Sequence, residues 1–133
     1  MIKNATWKIT TINVKGINNT FKFDDFMKWI TDNNIDITIL SETKINQFNA
    51  SFKIKKYQKS YGSFWNLDDD APKSSGVSII LKKDTVRKHI YVWQSHLGRF
   101  INVRLKLKEK KNISISAIYG NADSSDKATK KNH

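Results

Sequence analysis

The chain has 133 residues, of which 38% are hydrophobic, so it is long enough for one domain with a buried core and contains no apolar run that could span a bilayer. It has no cysteine, which excludes disulfide bonds and thiolate metal sites. The N-terminus, Met1-Ile2-Lys3-Asn4, lacks the apolar core of a signal peptide. We therefore expect an intracellular protein, in nucleus or cytoplasm, and the sequence leaves its oligomeric state open.

The formal net charge at pH 7 is +12, from 24 Lys and Arg against 12 Asp and Glu. A chain this basic suits a polyanionic partner, and nucleic acid is the expected one. The alternative is a biased genomic base composition, because nearly all the positive charge is lysine and the chain is also rich in asparagine and isoleucine. The lysines are scattered along the chain, so they predict no particular binding face.

The first half of the chain has the pattern of a β-α-β unit. Residues 6–14 are rich in β-branched side chains and predict a strand. Residues 18–20 offer N-cap side chains for a helix, with Asp24 and Asp25 expected in its first turn. The apolar face of that helix has the spacing i, i+3, i+4, i+7 and consists of Phe23, Phe26, Met27 and Ile30. Residues 35–40 then form a nearly continuous apolar run, typical of a strand buried on both faces.

Two polar residues mark the ends of these strands: Asn13 falls at the end of the first, and Glu42 follows the second. The carboxyl ends of parallel strands lie at the same edge of a sheet, so we expect Asn13 and Glu42 to meet there. A carboxylate and an amide held at strand ends suit Mg²⁺, which takes few protein oxygens and keeps several waters. The alternative is that Glu42 merely ends its strand in solvent and Asn13 is an ordinary turn former.

The middle of the chain is less regular. Residues 45–56 predict a loop or short irregular helix that packs Phe48, Phe52 and Ile54 against the core, and residues 57–65 predict a strand. Residues 66–76 contain an acidic triplet, the only proline and a glycine, and so predict a loop. We expect the triplet, Asp68, Asp69 and Asp70, to be solvated, with a second metal site as the weaker alternative.

The remaining pattern is that of strands. Residues 76–81 predict a buried strand and residues 89–93 another, with His89 and His96 at the surface because no third ligand lies at metal-binding spacing. Residues 100–107 and 113–119 alternate between apolar and polar side chains, which predicts a hairpin with one face on the core and a turn at residues 108–112. Residues 122–133 are polar and without periodicity, so we expect a disordered tail.

Five short motifs occur in order, namely Ile-Asn-Val-Lys-Gly-Ile at 12–17, Ile-Thr-Ile-Leu-Ser-Glu-Thr-Lys at 37–44, Gly-Val-Ser-Ile-Ile-Leu at 76–81, Gly-Arg-Phe-Ile at 98–101 and Ile-Tyr-Gly-Asn at 118–121. Together they resemble the N-terminal half of the endonuclease/exonuclease/phosphatase superfamily, and are most similar to endonuclease domains of non-LTR retrotransposons and apurinic endonucleases. The resemblance implies an α+β fold, an incomplete α/β sandwich of the DNase I-like type, with an initial β-α-β unit in a mixed sheet and a later antiparallel hairpin. It implies a partial domain at residues 1–121.

The activity implied by the resemblance is that of a Mg²⁺-dependent phosphodiesterase acting on nucleic acid, with DNA the expected substrate and Mn²⁺ an alternative metal. The residues matching the family's catalytic positions are Glu42 as a direct metal ligand, Asn13 beside the metal and its water, and Tyr119 at the scissile phosphate. Lys44, Arg99 and Asn121 are the expected nucleic-acid contacts. Contacts of this kind to phosphate carry no sequence information.

The sequence also departs from the family pattern. It contains neither the Gly-Asp-Phe-Asn motif nor the terminal Ser-Asp-His of the family's second half, Ser41 replaces a usual Gln, and Tyr119-Gly120-Asn121 is one residue shorter than usual. We therefore expect about half a catalytic domain, marginally stable, with an uncovered apolar sheet face and impaired turnover. The alternatives are a non-enzymatic basic module that stacks bases on Trp65 and Trp93, or an inert remnant of a retroelement gene.

Overall fold

The computed structural model describes residues 7–84, 86–107 and 111–120. The strands are Ile9–Asn13 (β1), Ile37–Ser41 (β2), Tyr61–Asn66 (β3), Val77–Lys82 (β4), Val86–Ser95 (β5), Phe100–Leu107 (β6) and Asn112–Ile118 (β7). The helices are Thr20–Asp32 (α1) and Gln47–Ile54 (α2), with short 3-10 helices at Lys55–Tyr57 and Pro72–Ser74. Among these residues, no helix is both long enough and apolar enough to cross a membrane.

The strands form two sheets. The first sheet has the order β1-β2-β4-β3, in which β1 and β2 are parallel and the other pairs are antiparallel. The second sheet has the order β5-β6-β7 and is antiparallel throughout. This arrangement confirms the predicted α+β class, with a β-α-β unit in a mixed sheet and a later antiparallel hairpin.

Helix α1 covers the outer face of the first sheet. Its N-cap is Asn19, whose side chain accepts a hydrogen bond from the backbone N–H of Lys22 at 3.1 Å and so satisfies a helix-end donor. Three side chains of α1, Phe23, Met27 and Ile30, are fully buried in one cluster with side chains of the sheet that include Leu40 and Ile80. The predicted apolar helix face is therefore the one that packs.

A second cluster fills the space between the two sheets. It joins Ile37 and Ile79 of the first sheet to apolar side chains of the second. The inward residues of β6 are those that the alternation predicts, and all four are inaccessible to solvent: Ile101, Val103, Leu105 and Leu107. Strands β2 and β4 are thus buried on both faces, as their continuous apolar sequences indicate.

The outer face of the second sheet is open to solvent among the described residues. The exposed fractions of Tyr91, Trp93 and Ile118, which point outward there, are 48%, 48% and 66%. Asn102, Arg104, Ser114 and Ser116 point outward on the same face. The exposed face is therefore of mixed polarity, and the uncovered apolar face expected from the sequence is not found on it.

Three local predictions were wrong. Residues 55–57 form a 3-10 helix and β3 begins only at Tyr61, because Tyr57 turns back to α1 and donates a hydrogen bond from its hydroxyl to Asp24 at 2.6 Å. Phe48 and Phe52 are 78% and 72% exposed, because α2 presents Ala50 and Ile54 to the interior and these phenylalanines lie on its other side. Helix α1 starts at Thr20, so the predicted aspartates lie beyond its first turn. The predicted tail at 122–133 lies outside the described residues, as does most of the predicted turn at 108–112.

Candidate functional site

The ends of β1 and β2 bring Asn13 and Glu42 together. The strands pair in parallel with Asn13 opposite Ser41, and Gly16 N donates to the Glu42 carbonyl at 2.8 Å just beyond them. The Asn13 side chain donates a hydrogen bond to the Glu42 carboxylate, while its Oδ1 accepts one from Lys15 N at 3.0 Å. The contact expected from strand order is therefore made. The metal and catalytic roles of both residues stay predictions.

Glu42 has a left-handed backbone conformation, with φ of 56°. Such conformations cost a non-glycine residue free energy and persist only where surrounding contacts hold them. Here the next residue, Thr43, donates its N–H to the Gly76 carbonyl at 3.1 Å, and Lys44 donates to the Ser75 carbonyl at 3.0 Å. These bonds, with the one from Gly16, hold the strained residue on both sides.

The surroundings of Glu42 favour its ionised form. The hydrogen bond from Asn13 is the largest effect and lowers the pKa of the Glu42 carboxyl from its ordinary value of 4.5. Burial, the next largest, opposes it, and the hydrogen bond and charge of Lys44, with the charge of Lys15, add to the lowering. The Lys44 Nζ lies 3.2 Å from Glu42 Oε1, and the Glu42 side chain remains 20% exposed. The carboxylate is therefore charged at neutral pH and reachable from solvent.

Gly76 makes the close approach between β4 and the end of β2 possible. Its φ is +110°, and a Cβ at this position would overlap the hydroxyl oxygen of Thr43. Thr43 is fully buried, and its Oγ1 has no hydrogen-bond partner among the described residues. Only glycine accommodates both the conformation and the contact, so Gly76 fixes the position of the loop that carries Glu42.

Arg99 and Tyr119 lie together at the end of the second sheet. Tyr119 N donates to the Arg99 carbonyl at 2.8 Å, and the Arg99 guanidinium lies 5.3 Å from the centre of the Tyr119 ring, a cation–π contact. Arg99 Nη2 donates to the Ser74 carbonyl at 3.5 Å, while its Nη1 is buried and has no hydrogen-bond partner among the described residues. Because Nη1 is shielded from solvent, a phosphate oxygen would reach it only after the Arg99 side chain moves.

Asn66, which the sequence analysis assigned only to the start of a loop, joins the two sheets. It is 2% exposed; its side-chain amide donates to the Phe100 carbonyl at 2.6 Å, and its Oδ1 accepts from Gly98 N at 2.8 Å. Gly76 N in turn donates to the Gly98 carbonyl at 2.8 Å. The turn that carries Arg99 is thus bonded to the same loop that holds Glu42. In the sequence, Asn66 is a polar residue directly after an aromatic segment. That pattern does not distinguish a buried residue that bonds two sheets from a residue in a turn.

Glu42 and Asn13 supply only part of the coordination shell that Mg²⁺ requires. Among the described residues, no group of three or more His, Cys, Asp or Glu side chains could hold a metal ion. One carboxylate and a neighbouring amide fit a Mg²⁺ ion that keeps most of its ligands as water or substrate oxygens. Lys44 pairs with Oε1 of Glu42 and leaves Oε2 as the carboxylate oxygen for a cation, so the residues fit a weakly held metal.

The other predicted positions are placed as follows. In the acidic triplet, Asp69 accepts from Gln47 N at 2.9 Å and Asp68 from Asp70 N at 3.0 Å, so these two carboxylates cap backbone groups. Asn121 lies outside the described residues. Of the two predicted stacking side chains, Trp65 is partly buried against the core and only Trp93 is substantially exposed.

The fold is that of the DNase I-like endonuclease/exonuclease/phosphatase structures. The chain superimposes on D. rerio TDP2 complexed with a single-strand DNA product, with a TM-score of 0.62 and 18% identity over 83% of this chain and 44% of that one. It matches the human Nocturnin catalytic domain with bound sulfate at TM-score 0.62 and 11% identity, covering 83% and 48% of the two chains. It matches the apurinic endonuclease LMAP of Leishmania major at TM-score 0.63 and 17% identity, covering 85% and 40%.

The chain spans less than half the length of these three structures. No sequence-family model matches it, and a search of curated proteins found no match. The likeness therefore establishes the fold, and it confirms at that level the resemblance drawn from the five motifs.

Proposed function

We propose that this chain is a Mg²⁺-dependent phosphodiesterase module that acts on nucleic acid, with DNA as the preferred substrate. The observation that carries the proposal is the state of Glu42, which is ionised, solvent-accessible, strained in its backbone and hydrogen-bonded to Asn13 at the end of two parallel strands. A charged carboxylate kept in a strained conformation at a sheet edge has the setting of a functional group.

Glu42 is the residue that would hold the metal, and Asn13 orients the Glu42 carboxylate and a water beside it. When bound, Mg²⁺ supplies charge neutralisation at the phosphate and leaving oxygen. Arg99 and Tyr119 contribute the positive charge of the guanidinium and the tyrosine hydroxyl to phosphate binding. Lys44, which pairs with Glu42, would offer a second positive charge to the substrate.

The net charge of +12 supports a polyanionic substrate. The fold likeness adds a similar indication, since the TDP2 structure contains a single-strand DNA product and the Nocturnin structure a bound sulfate anion. Preference for DNA over RNA follows only from the resemblance to retrotransposon and apurinic endonucleases.

We propose weak turnover by these 133 residues alone. The sequence has no Gly-Asp-Phe-Asn and no terminal Ser-Asp-His, the groups that in the resembled family position the attacking water and transfer protons. Loss of a positioned acid or base costs roughly 10² to 10⁴ in rate. Metal and nucleic-acid binding do not require those groups.

The test is nicking of supercoiled plasmid in Mg²⁺, in Mn²⁺ and in EDTA by the wild-type chain, by Glu42→Gln and by the control Asp32→Asn. The control removes one carboxylate charge at a surface pair with Lys28, on the outside of α1. We expect slow, metal-dependent nicking that Glu42→Gln abolishes and Asp32→Asn retains.

Two results would overturn this proposal. Nicking that persists in EDTA or in Glu42→Gln would not come from this site. Absence of nicking by wild-type protein with a cooperative unfolding transition would remove the catalytic function and leave only binding.

A second function, a non-enzymatic module that binds nucleic acid, is favoured by the exposure of Trp93 on a sheet with basic side chains. Such a module would bind DNA in a salt-sensitive way, since phosphate contacts release counterions. Binding that responds neither to Mg²⁺ nor to Glu42→Gln would support it over the enzyme.

A further inference from the structure

An open pocket of about 370 Å³ lies beside Arg99 and Tyr119, at the end of the second sheet. Its other lining side chains include Trp93, His96, Phe100 and Ile118. A volume of this size is within the range of small-molecule pockets, roughly 300–1,000 Å³. The pocket lies on the outer face that the structure leaves uncovered.

One wall of the pocket is aromatic and held in place. Trp93 and Phe100 meet edge to face, with ring centres 5.2 Å apart and planes inclined at 69°. This geometry is favourable for aromatic pairs, so Phe100 fixes the Trp93 ring while 48% of the Trp93 surface stays open. A planar ligand can stack on that open surface.

Arg99 is the cationic side chain among the residues that line the pocket. Arg99 is stacked on Tyr119 and has the buried, unpartnered Nη1 described above. Further along the same face, the Arg104 guanidinium lies 5.9 Å from the centre of the Tyr91 ring. Residues 86–107 and 111–120, which contain all three strands of the sheet, include no Asp or Glu. The ligand that this face complements is therefore planar at one end and anionic at the other.

We propose that the pocket binds one unpaired nucleobase of a nucleic-acid strand, stacked on Trp93, with a flanking phosphate on Arg99. In a duplex both faces of each base are covered by its neighbours, so stacking on a protein side chain requires an unpaired base. The inference rests on the proposed function, because it places the base next to the phosphate contacts of that site, and it specifies single-stranded or locally unpaired nucleic acid as the substrate class.

The first experiment measures binding of a fluorescently labelled mixed-sequence 16-nucleotide strand, alone and annealed to its complement, in EDTA. Trp93→Ala is compared with Trp29→Ala, a matched control because Trp29 is a similarly exposed tryptophan, at 44%, on α1. We expect Trp93→Ala to weaken single-strand binding by roughly 5- to 100-fold, the measured range for loss of one base–aromatic stack. Trp29→Ala should leave it within twofold, and the duplex should lose far less.

A second measurement uses the unaltered protein, so that a folding defect of Trp93→Ala cannot obscure the result. A single strand that contains 5-bromouracil is crosslinked by light to the wild-type chain, and the attached tryptic peptide is identified by mass spectrometry. We expect crosslinks to the peptide of residues 89–99, which contains Trp93 and Arg99. Trp93→Phe, which keeps a ring, should retain most of the binding.

Three results would overturn the inference: equal losses for Trp93→Ala and Trp29→Ala, equal losses for single strand and duplex, or crosslinks confined to the helices. Dimerisation of the wild-type chain in sedimentation, abolished by Trp93→Ala without loss of DNA binding, would assign the pocket to a second copy instead. Because DNA binding is measured in EDTA, its result does not depend on whether the chain nicks plasmid in Mg²⁺. If binding depends on Trp93 and no nicking is observed, the base-binding pocket is supported and the proposed enzymatic function is rejected.

Discussion

The two sheets differ in how they are covered. The first sheet has α1 on one face and the second sheet on the other, so β2 and β4 are buried on both sides. The second sheet buries one face and leaves Trp93 and Ile118 exposed on the other. The charged carboxylate of the candidate site comes from the enclosed sheet, and the pocket beside Arg99 and Tyr119 comes from the open one.

We therefore expect the first sheet to determine the stability of the chain and the second sheet to bind nucleic acid. Hydrogen bonds from neighbouring loops hold the strained backbone of Glu42. Those loops keep their positions because the sheet that carries them is buried on both faces. A surface for a base requires an aromatic side chain that is fixed yet open, which the uncovered sheet supplies. Substitutions in the first sheet and its helix should therefore change the free energy of unfolding, and outward substitutions in the second should change binding.

The largest effect is expected at Phe23, which is fully buried under α1. Phe23→Ala should lower the free energy of unfolding by about 3–5 kcal/mol, through lost transfer energy and the cavity left behind. Phe21→Ala, on the same helix but 82% exposed, should change it by less than about 0.5 kcal/mol. Urea denaturation measures both. Equal effects of the two substitutions would mean that α1 does not close the first sheet as described.

An intermediate effect is expected at Asn66, which bonds the two sheets together. Asn66→Ala leaves the Phe100 carbonyl and the Gly98 N–H without their partner. It should lower the free energy of unfolding by about 1–3 kcal/mol. It should also weaken single-strand DNA binding, because the turn that carries Arg99 is released. If Asn66→Ala lowered stability and left DNA affinity unchanged, this prediction would be contradicted. The pocket on the second sheet would then not depend on the bond to the first sheet.

The smallest effect is expected on the stability of the chain at low pH. Lys56 and Tyr57 donate hydrogen bonds to Asp24 and lower the pKa of its carboxyl from an ordinary value of 3.8. Since the folded-state pKa is the lower one, the stabilisation is fully present above about pH 3.8 and is lost as pH falls through the lowered value. Asp24→Asn should reduce the loss of stability below that pH.

The control for this prediction is Asp25→Asn, which removes the same charge at an exposed neighbour without those bonds. Chemical denaturation between about pH 5 and about pH 2.5 compares the three proteins, a range that brackets the ordinary pKa of an aspartate. Because residues 86–107 and 111–120 contain no carboxylate side chain, acid should act on the enclosed sheet and its helices. Identical acid curves for wild type and Asp24→Asn would contradict the assignment.

The parts of the fold that follow from sequence are those with a strong local period. The apolar spacing that includes Phe23 and Met27 and the alternation of β6 each specify a buried face without knowledge of the partner. Parallel strand order also brings Asn13 to Glu42, because that contact depends only on where two neighbouring strands end. The five motifs predicted the DNase I-like fold, which the structure has.

The remaining features depend on contacts between distant residues. Tyr57 is strand-like by composition, yet its hydroxyl reaches an aspartate on a helix 33 residues earlier in the chain. Phe48 and Phe52 are as apolar as core residues, and only the packing of Ala50 and Ile54 decides that they face solvent. Asn66 has an ordinary turn-forming side chain, and its buried bonds exist only once both sheets are assembled.

The left-handed backbone at Glu42 has a consequence for how this position can change during evolution. Glycine adopts such a conformation without the penalty of about 1–2 kcal/mol that other residues pay. A mutation to glycine would therefore relieve strain while removing the carboxylate. Lys44, two residues later, has the same left-handed backbone with a φ of 52°, so the same exchange of side chain for relief of strain applies there.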